Sequence, residues 1–402
     1  MAEITVFGAD WCPDCRRSKR FLTEQRISYD WVDLDRVPGA KAHVERLNGG
    51  AAIIPTIVFP DGSHLAEPTN EELAEKLGLR RRADRDRYDL LILGGGPTGL
   101  TAAIYAAREG MDALVIERSA LGGQAGVTER IDNYPGFPDG VGGAELAARM
   151  EAQARRYGVE LLSAVGVQQL GREGDEVLAT TTSGDRYRGR AALIATGTSY
   201  RRLGVPGEAD LIGAGIHFCA TCDGPFYRGA EELLVIGGGN SGVEEGLFLA
   251  QFAERIRLVE FMSELGASAR LRDIVRSNAK FTIHTNTEVV GFRRAPTGKL
   301  ASVVARDLAT GAETRFRPAA AFEFIGLDPN TAFLRDALEL DPRGFIVAGE
   351  DHATSMAGVF AAGDVRAGST KQLASATGEG ASALLAVRRY LERSESQLAA
   401  VG

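Results

Sequence analysis

The stretch DLLILGGGPTG, residues 89–99, is a short apolar run that leads into the glycine pattern G-x-G-x-x-G. Residues 100–108 follow it with a helical pattern, and the acidic residue Glu117 lies 23 residues after Gly94, at the end of the next predicted strand. Glycines in such a turn let the backbone approach a pyrophosphate at the helix N-terminus, and the acid can accept hydrogen bonds from a ribose. The stretch therefore predicts a dinucleotide-binding domain.

The same arrangement occurs a second time. The stretch ELLVIGGGNSG, residues 232–242, precedes a predicted helix over residues 243–252, and Glu260 lies 23 residues after Gly237. A lone glycine pattern of this kind is weak, because glycines also cluster in ordinary turns, but here both copies have the required strand, helix and acid. Two dinucleotide sites on one chain indicate a flavin and a nicotinamide, a pair that together delivers electrons to thiols.

The four cysteines form two C-x-x-C pairs, Cys12/Cys15 and Cys219/Cys222. In a reducing compartment such pairs are more often catalytic or metal-binding than structural. The pairs are 204 residues apart, much farther than in common zinc sites, so we expect no metal. Cys12 stands between a predicted strand and helix, where the helix dipole stabilises a thiolate, and Cys15 is placed to resolve a mixed disulfide.

Composition narrows the class of protein. A length of 402 residues suggests two to four domains, and the net charge of −8 argues against a nucleic-acid or anionic-membrane surface. No apolar run approaches the ~20 residues of a spanning helix, and no export signal is visible at the start, so we expect a cytoplasmic protein. Residues 80–87 are charged and lack apolar periodicity, which predicts a solvated linker.

From residue 89 onward the sequence resembles the low-molecular-weight thioredoxin reductases and the flavoprotein subunit of alkyl hydroperoxide reductase. The motifs that support the resemblance are GGGP (94–97), GGQ (122–124), NYPG (133–136), ATG (195–197), CATCDG (219–224), GGGNS (237–241), VFAAGD (359–364) and KQLA (371–374). The resemblance implies an FAD domain over 89–201 and 323–396. An NAD(P) domain with the C-x-x-C, residues 202–322, would be inserted into it. It also implies a homodimer that alternates between two domain orientations.

The resemblance further implies the residues of each site. Cys222 would face the flavin and Cys219 would attack the substrate disulfide. FAD would be bound by Gly94, Gly96, Pro97, Gly99, Glu117, Gly123, Gln124, Asn133, Thr196, Gly197, Gly363, Asp364, Lys371 and Gln372. The nicotinamide dinucleotide would be bound by Gly237, Gly239, Asn240, Ser241, Glu244 and Glu260. Beside the cysteines, Asp223 can supply or accept a proton as thiolates form and leave, or it can merely solvate a turn.

The nicotinamide site departs from the thioredoxin reductases at one point. Those enzymes typically have His-Arg-Arg where this chain has Glu260, Phe261 and Met262, and the arginines grip the 2′-phosphate of NADPH. The hydroperoxide reductase flavoproteins, which use NADH, have Glu-Phe there. NADH is therefore the favoured cofactor and NADPH the less favoured one.

Residues 1–79 resemble glutaredoxins, and mycoredoxins most closely among them. The motifs are WCPDC (11–15), LNGG (47–50), IPT (54–56) and FPDGS (59–63). The resemblance implies that Pro55 is cis and packs beside the dithiol. The predicted fold class is thus α/β: a thioredoxin-fold domain in the order β-α-β-α-β-β-α, a linker at 80–88, and two Rossmann-like domains.

The predicted function is a flavin-dependent disulfide reductase. Electrons would pass from NAD(P)H through FAD and Cys219/Cys222 to Cys12/Cys15, and then to a protein or low-molecular-weight disulfide. One alternative is a dedicated reductase of a peroxiredoxin in a peroxide-scavenging system. Another, from a different class, is a flavin redox sensor that does not turn over.

Overall fold

The computed structural model describes residues 4–9, 11–128, 131 and 133–401; it leaves out the side chains of Thr221, Cys222, Arg335 and residues 397–401. No helix in the described part of the chain is long and apolar enough to cross a membrane. The predicted α/β class, with a glutaredoxin-like domain and two dinucleotide-binding domains, is confirmed.

The N-terminal domain is a four-stranded mixed sheet with three helices. Its elements are β1 (Ile4–Gly8), α1 (Pro13–Glu24), β2 (Tyr29–Asp33), α2 (Ala40–Leu47), β3 (Thr56–Val58), β4 (His64–Ala66) and α3 (Asn70–Lys76). The strand order is β2-β1-β3-β4, with β1 parallel to β2 and antiparallel to β3. Val6, Leu22, Ile57 and Leu73 are fully buried between sheet and helices. The element order is the one predicted from the sequence.

The second domain begins with a largely parallel sheet. Its elements are β5 (Arg87–Leu93), α4 (Pro97–Arg108), β6 (Ala113–Ile116), α5 (Gly143–Arg156), β7 (Glu160–Leu162), β8 (Val167–Glu173), β9 (Glu176–Thr181), β10 (Arg186–Ile194) and β11 (Thr198–Tyr200). The strand order is β7-β6-β5-β10-β9-β8. Residues 90–93 are all fully buried, as expected for a central parallel strand covered on both faces.

The third domain has its own parallel sheet, whose five strands lie in the spatial order 216–217, 320–323, 230–236, 253–259 and 281–284. Its elements are β12 (Ile216–His217), α6 (Ala220–Asp223), β13 (Ala230–Ile236), α7 (Asn240–Leu249), β14 (Ala253–Val259), α8 (Ala269–Ser277), β15 (Phe281–His284), β16 (Thr287–Arg294), β17 (Leu300–Asp307), β18 (Glu313–Phe316) and β19 (Ala320–Glu323). Strands β16, β17 and β18 form a separate antiparallel sheet.

After β19 the chain returns to the second domain through β20 (Leu327–Pro329), β21 (Val359–Ala361) and α9 (Leu373–Val401). Strand β21 pairs in parallel with β10, and β20 pairs with β11. Two segments on either side of the third domain therefore build one sheet. Short 3₁₀ helices cover Gly123–Val127, Ala209–Leu211, Gly224–Tyr227, Arg335–Ala337 and Gly363–Val365.

Helices α4 and α7 begin three residues earlier than the sequence predicts, inside the glycine motifs. The last glycine of each motif packs its helix directly on the strand before it. A Cβ on Gly99 would lie 1.9 Å from the carbonyl oxygen of Gly94, and one on Gly242 would lie 1.9 Å from that of Gly237. Since no side chain fits there, glycine at these positions fixes the close approach of helix and strand.

The linker over residues 80–87 is bonded to the second domain along one side. The Ser163 N–H donates to the carbonyl of Arg80 at 2.9 Å, and the Asp84 N–H donates to the buried carboxylate of Glu160 at 2.6 Å. The predicted solvated character describes its outer side only. The linker thus holds the N-terminal domain close to the second sheet.

Two buried carboxyl groups lie where the chain passes between the second and third domains. Glu208 accepts hydrogen bonds from the N–H groups of Leu203 and Gly204 at 3.0 and 2.7 Å. Glu323 is 2% exposed, and its carboxyl oxygens have no hydrogen-bond donor among the described residues. Burial, followed by the negative charge of Glu208, raises the pKa of Glu323 from 4.5 to about 8. Glu323 is therefore protonated at neutral pH, a form in which it can donate to Glu208.

This pair predicts a pH dependence of stability. The folded chain holds a proton on Glu323 that the unfolded chain releases near pH 4.5, so the free energy of unfolding should fall as pH rises from about 5 to 8. Over this pH range the free energy of unfolding of Glu323→Gln should fall by roughly 2–4 kcal/mol less than that of the wild type, because the amide does not ionise. Denaturant unfolding at pH 5.5 and 8.5 measures it.

The matched control for this prediction is Glu145→Gln. The carboxylate of Glu145 is half exposed in a helical pair with Arg149, so this variant should follow the wild-type pH profile. Identical pH profiles for wild type and Glu323→Gln would contradict the assignment.

Candidate functional site

A cavity of about 820 Å³ extends from the second domain to the C-x-x-C of the third and is lined at one end by the N-terminal domain. It lies in the size range of cofactor sites. Most residues predicted to bind FAD line it: Gly96, Pro97, Glu117, Gly123, Gln124, Asn133, Thr196, Gly197, Asp364, Lys371 and Gln372. Cys219 and Asp223 line it as well. The structure thus brings the predicted flavin residues and a redox cysteine to one cavity.

The other predicted flavin residues, Gly94, Gly99 and Gly363, lie behind the cavity wall. Gly94 has a φ of +108°, and its Cβ would lie 2.4 Å from the carbonyl oxygen of Ala195. Gly363 has a φ of +76°, and its Cβ would lie 2.3 Å from Oγ1 of Thr98. These glycines allow close backbone packing and do not contact the cavity themselves.

The two acidic residues of the dinucleotide motifs bind their own glycine loops. Glu117 accepts a hydrogen bond from the Gly95 N–H at 2.7 Å, and its other oxygen accepts from the N–H and hydroxyl of Ser119, both at 2.8 Å. Glu260 accepts from the Gly238 N–H at 2.5 Å in the same way. Each carboxylate therefore fixes the loop beside which a ribose would lie, a role that the sequence analysis did not include.

A second glycine loop, residues 121–127, faces the first. The Gly122 N–H donates to the carbonyl of Gly95 at 2.7 Å. A Cβ on Gly96 would lie 3.8 Å from the Cα of Gly123, so the two loops approach with no side chain between them. The resulting cleft is lined by backbone, which suits a diphosphate group.

The far wall of this cavity holds an unsatisfied polar atom. Oδ1 of Asp364 is buried and has no hydrogen-bond partner among the described residues, and burial raises the pKa of this carboxyl group. The ammonium of Lys371 donates to the carbonyls of Asp364 and Arg366, and Asn133 donates to the side-chain oxygen of Gln372 at 3.2 Å. The unpaired acid oxygen and the glycine-lined cleft fit a flavin dinucleotide, which has hydroxyl donors and a diphosphate.

The loop around Asp364 is fixed by a residue that sequence analysis missed. Glu379 on α9 accepts hydrogen bonds from the Gly363 N–H at 2.8 Å and from Arg366 Nε at 3.0 Å. Because Glu379 lies inside a long helix with ordinary helical composition, no local pattern marks it.

The cysteine end of the cavity is held by aromatic and acidic side chains. Cys219 is disulfide-bonded, and the side chain of Cys222 lies outside the described residues. Asp223 is buried, with its carboxylate 3.5 Å from Nδ1 of His217. Nε2 of His217 lies 2.7 Å from the hydroxyl of Tyr227. The predicted proton donor or acceptor thus lines the same cavity as Cys219 and lies beside a histidine that contacts Tyr227.

Tyr200 lines the same cavity as the predicted flavin residues and Cys219, and sequence analysis also missed it. Its ring stacks on Phe218 at a centroid distance of 4.8 Å. Burial, with smaller effects of the negative charges of Asp364 and Asp223, raises the pKa of Tyr200 to about 12. Its hydroxyl therefore stays protonated and neutral at physiological pH.

The predicted nicotinamide residues lie around the glycine motif of the third domain. Gly237 has a φ of +110°, and its Cβ would lie 2.6 Å from the carbonyl oxygen of Phe324. A Cβ on Gly239 would meet open space. The side chain of Asn240 accepts a hydrogen bond from the Ser268 N–H at 2.8 Å. These residues are absent from the lining of the 820 Å³ cavity, so the two candidate dinucleotide sites are separate.

Two neighbouring acids on α7, Glu244 and Glu245, differ in their exposure. Ser241 and Glu244 are exposed there, as a nucleotide-facing position requires. Glu245 is partly buried and contacts the backbone of Ala220, the residue after Cys219. Burial raises the pKa of Glu245. Helix α7 therefore presents Glu244 outward and Glu245 to the C-x-x-C segment.

The N-terminal dithiol lies at the start of α1. Cys12 is the N-cap, and its sulfur accepts a hydrogen bond from the Cys15 N–H at 3.1 Å. Both cysteines are free and buried, beside the exposed ring of Trp11. Burial, and then the contact with Cys12, raises the pKa of the Cys15 thiol to about 12. The Ile54–Pro55 bond is cis, as predicted, and the Ile54 carbonyl lies 3.9 Å from the Cys12 sulfur.

The two ends of α1 face different parts of the molecule. Its C-terminal end contacts the second domain, where the Ala120 N–H donates to the carbonyl of Glu24 at 3.2 Å. A helix of 12 residues is about 18 Å long, so Cys12 lies about that far from this contact. The cavity that contains Cys219 is lined by Arg20, Thr23 and Glu24 of α1 but by neither Cys12 nor Cys15.

Comparisons with known proteins identify the families to which two parts of the chain are similar. Residues 88–380 match the family described as pyridine nucleotide-disulphide oxidoreductase, and residues 4–65 match the glutaredoxin family. The chain is 37% identical over 311 residues to the thioredoxin reductase of Bacillus subtilis, which covers 77% of this chain and 97% of that protein. It is 39% identical over 305 residues to the bifunctional thioredoxin reductase/thioredoxin of Mycobacterium leprae, covering 76% of this chain and 66% of that protein.

A solved structure gives the same result. The crystal structure of thioredoxin reductase from Streptococcus pyogenes is 37% identical, covers 77% of this chain and 99% of its own, and superposes with a TM-score of 0.72. The family uses FAD and a pyridine nucleotide. The chain therefore belongs to the pyridine nucleotide-disulphide oxidoreductase family, as a thioredoxin reductase-like flavin-dependent disulfide reductase with an N-terminal glutaredoxin domain.

Proposed function

We propose that this enzyme passes electrons from NADH to its own N-terminal dithiol and from there to an external disulfide. The observation that supports this most is the shared cavity, which places Cys219 with the candidate flavin residues on a chain that also has a free, helix-capping dithiol. FAD, when bound, supplies the two-electron step between the nicotinamide and the disulfide of Cys219/Cys222.

The remaining steps are thiol–disulfide exchanges. The reduced pair Cys219/Cys222 passes two electrons and two protons to a Cys12–Cys15 disulfide, which becomes a dithiol. The Cys12 thiolate then attacks an external disulfide, forms a mixed disulfide and releases one thiol. Cys15 attacks this intermediate, releases the second thiol and closes the Cys12–Cys15 bond. Asp223, which lines the same cavity as Cys219, would exchange the protons at Cys219/Cys222.

The first exchange needs a movement of the N-terminal domain. The linker, residues 80–87, spans at most about 26–29 Å when extended. Since α1 is docked by its C-terminal end, the domain must leave this position or meet the third domain of a partner subunit in a homodimer. Tethering raises the effective concentration of the dithiol toward the millimolar range, so a weak docking surface suffices. The relative named bifunctional thioredoxin reductase/thioredoxin supports a reductase and its carrier on one chain.

The surroundings of Glu260 support NADH as the reductant. Its carboxylate is buried beside the glycine loop, where it can accept from a ribose hydroxyl but would repel a 2′-phosphate. The next two residues, Phe261 and Met262, are 62% and 52% exposed and bear no charge. Of the two arginines on β14, Arg257 donates to Glu232 at 2.8 Å and Arg255 donates to Glu231 at 2.7 Å. These guanidinium groups are therefore already neutralised.

We predict that kcat/KM is at least about 10-fold higher with NADH than with NADPH, a difference of about 1.4 kcal/mol. Steady-state kinetics with both nucleotides measures the ratio. Phe261→Arg should raise the efficiency with NADPH, because it adds a cation without removing Glu260 from the glycine loop, whereas Phe261→Gln is the neutral control. Equal or better efficiency with NADPH in the wild-type enzyme would overturn the assignment.

The electron path predicts different defects for two cysteine variants. Cys12→Ser should abolish reduction of an external disulfide but leave NADH-dependent flavin reduction intact, and the serine can still cap α1. Cys219→Ser should leave the Cys12–Cys15 disulfide unreduced, because electrons no longer reach it from the flavin. Stopped-flow flavin spectra, together with steady-state disulfide reduction, distinguish the two. Full activity of Cys12→Ser would mean that Cys219 serves the acceptor directly.

The acceptor can be identified by trapping. Cys15→Ser should hold the natural partner as a mixed disulfide on Cys12, because the resolving thiol of Cys15 has been removed. Mass spectrometry of the adduct separates a peroxiredoxin from a low-molecular-weight thiol. The double variant Cys12→Ser/Cys15→Ser is the control and should capture neither. Failure of the single variant to form any adduct with a disulfide substrate would contradict attack by Cys12.

A further inference from the structure

The residue that follows helix α1 has an unusual backbone conformation. Arg26 has a φ of +55°, in the left-handed region, and the N–H of Ile27 donates to the carbonyl of Leu22 at 2.9 Å. This is the turn that ends many helices, and glycine is the usual residue there because a side chain is unfavourable at that φ. A long cationic side chain at such a position suggests that the side chain itself is needed.

The guanidinium of Arg26 binds the second domain. It donates to the carbonyl oxygens of Leu121 and Gly123, both at 2.6 Å. Two glycines make room for it, because a Cβ on Gly126 would lie 2.0 Å from Nη1 of Arg26 and one on Gly122 would lie 3.2 Å from it. Burial lowers the pKa of Arg26, as expected for a cation removed from water. The guanidinium thus occupies a space that these two glycines leave open, in a loop that is distant from it in the sequence.

The loop that Arg26 binds is part of the candidate flavin site. Residues 121–127 face the first glycine loop, through the hydrogen bond from Gly122 to Gly95 and the close approach of Gly123 to Gly96. Arg26 also lines the same 820 Å³ cavity. The guanidinium therefore binds the carbonyls at both sides of Gly122, in the loop that forms one side of this cleft.

We propose that Arg26 is a positioning residue of the FAD site, so that the N-terminal domain completes the flavin site of the second domain. This proposal rests on FAD binding at the cavity described above. Since a coupling between two sites is reciprocal, bound FAD also stabilises the docked position of the N-terminal domain. Flavin affinity and domain docking are therefore linked through one side chain.

The test is the affinity of the full-length apoprotein for FAD. Arg26→Gly removes the guanidinium and relieves the left-handed backbone, so the N-terminal domain should stay folded while the Kd for FAD rises at least about 10-fold. Arg26→Lys should give a smaller increase, because one ammonium cannot donate to both carbonyls in the same fork geometry. Fluorescence titration with FAD measures each Kd.

The matched control is Arg46→Ala, which removes an exposed cation from α2 of the same domain and should keep the wild-type Kd. A Kd for Arg26→Gly within twofold of wild type would overturn the proposal. Hydrogen exchange gives a second measurement: FAD should slow exchange at residues 24–27 in the wild type but not in Arg26→Gly. Equal slowing in both would contradict the coupling. Failure of the wild type itself to bind FAD would instead contradict the proposed function.

Discussion

The second and third domains depend on one type of hydrogen bond, which occurs once in each. In each motif, the N–H of the second of three consecutive glycines donates to a buried glutamate at the end of the neighbouring strand. Gly95 donates to Glu117, and Gly238 donates to Glu260. A charge-assisted bond of this kind is stronger than one between neutral groups. Because it ties the loop to the next strand, it keeps the loop backbone in the shape that a diphosphate needs before any cofactor arrives.

The same bond supplies each buried glutamate with a donor that carries no positive charge. A buried carboxylate needs hydrogen-bond donors, and backbone N–H groups supply them without adding a positive charge. The negative charge therefore remains available to select ribose hydroxyls over phosphate at the same place. In the proposed nicotinamide site no free arginine on β14 would oppose this selection, since Arg255 and Arg257 are paired with Glu231 and Glu232.

Much of the fold could be predicted from the sequence, because its signals are local. The element order of the N-terminal domain and the two strand–glycine–helix units follow from apolar runs and turn residues that are adjacent in the chain. The starts of α4 and α7 were misplaced by three residues, since only the packing of Gly99 and Gly242 on the preceding strand shows that the helix begins inside the motif. The sequence predicted that residues 80–87 are solvated, but it did not predict the hydrogen bonds that join one side of this linker to the second domain.

The parts of the site that could not be predicted depend on distant contacts. Arg26 binds a loop 95 to 97 residues further along the chain, and Glu379 binds the loop around Gly363 from a helix without any motif. Tyr200 lies in a short strand, and only the folded structure brings it to the same cavity as Asp364 and Asp223. Side chains of these types occur throughout the sequence, so neither spacing nor composition distinguishes the ones that the cavity uses.

Helix α1 has a mechanical consequence for electron transfer. Its dithiol and its docked end belong to one stiff rod of 12 residues, so while that end stays docked the thiols move only when the whole rod turns. A rotation of about 60° around the docked end would displace Cys12 by about 18 Å, the length of the helix itself. One more helical turn would lengthen the radius of that swing by about 5.4 Å. While the helix stays docked, its length thus sets the radius of the arc on which the N-terminal thiols can meet an electron donor.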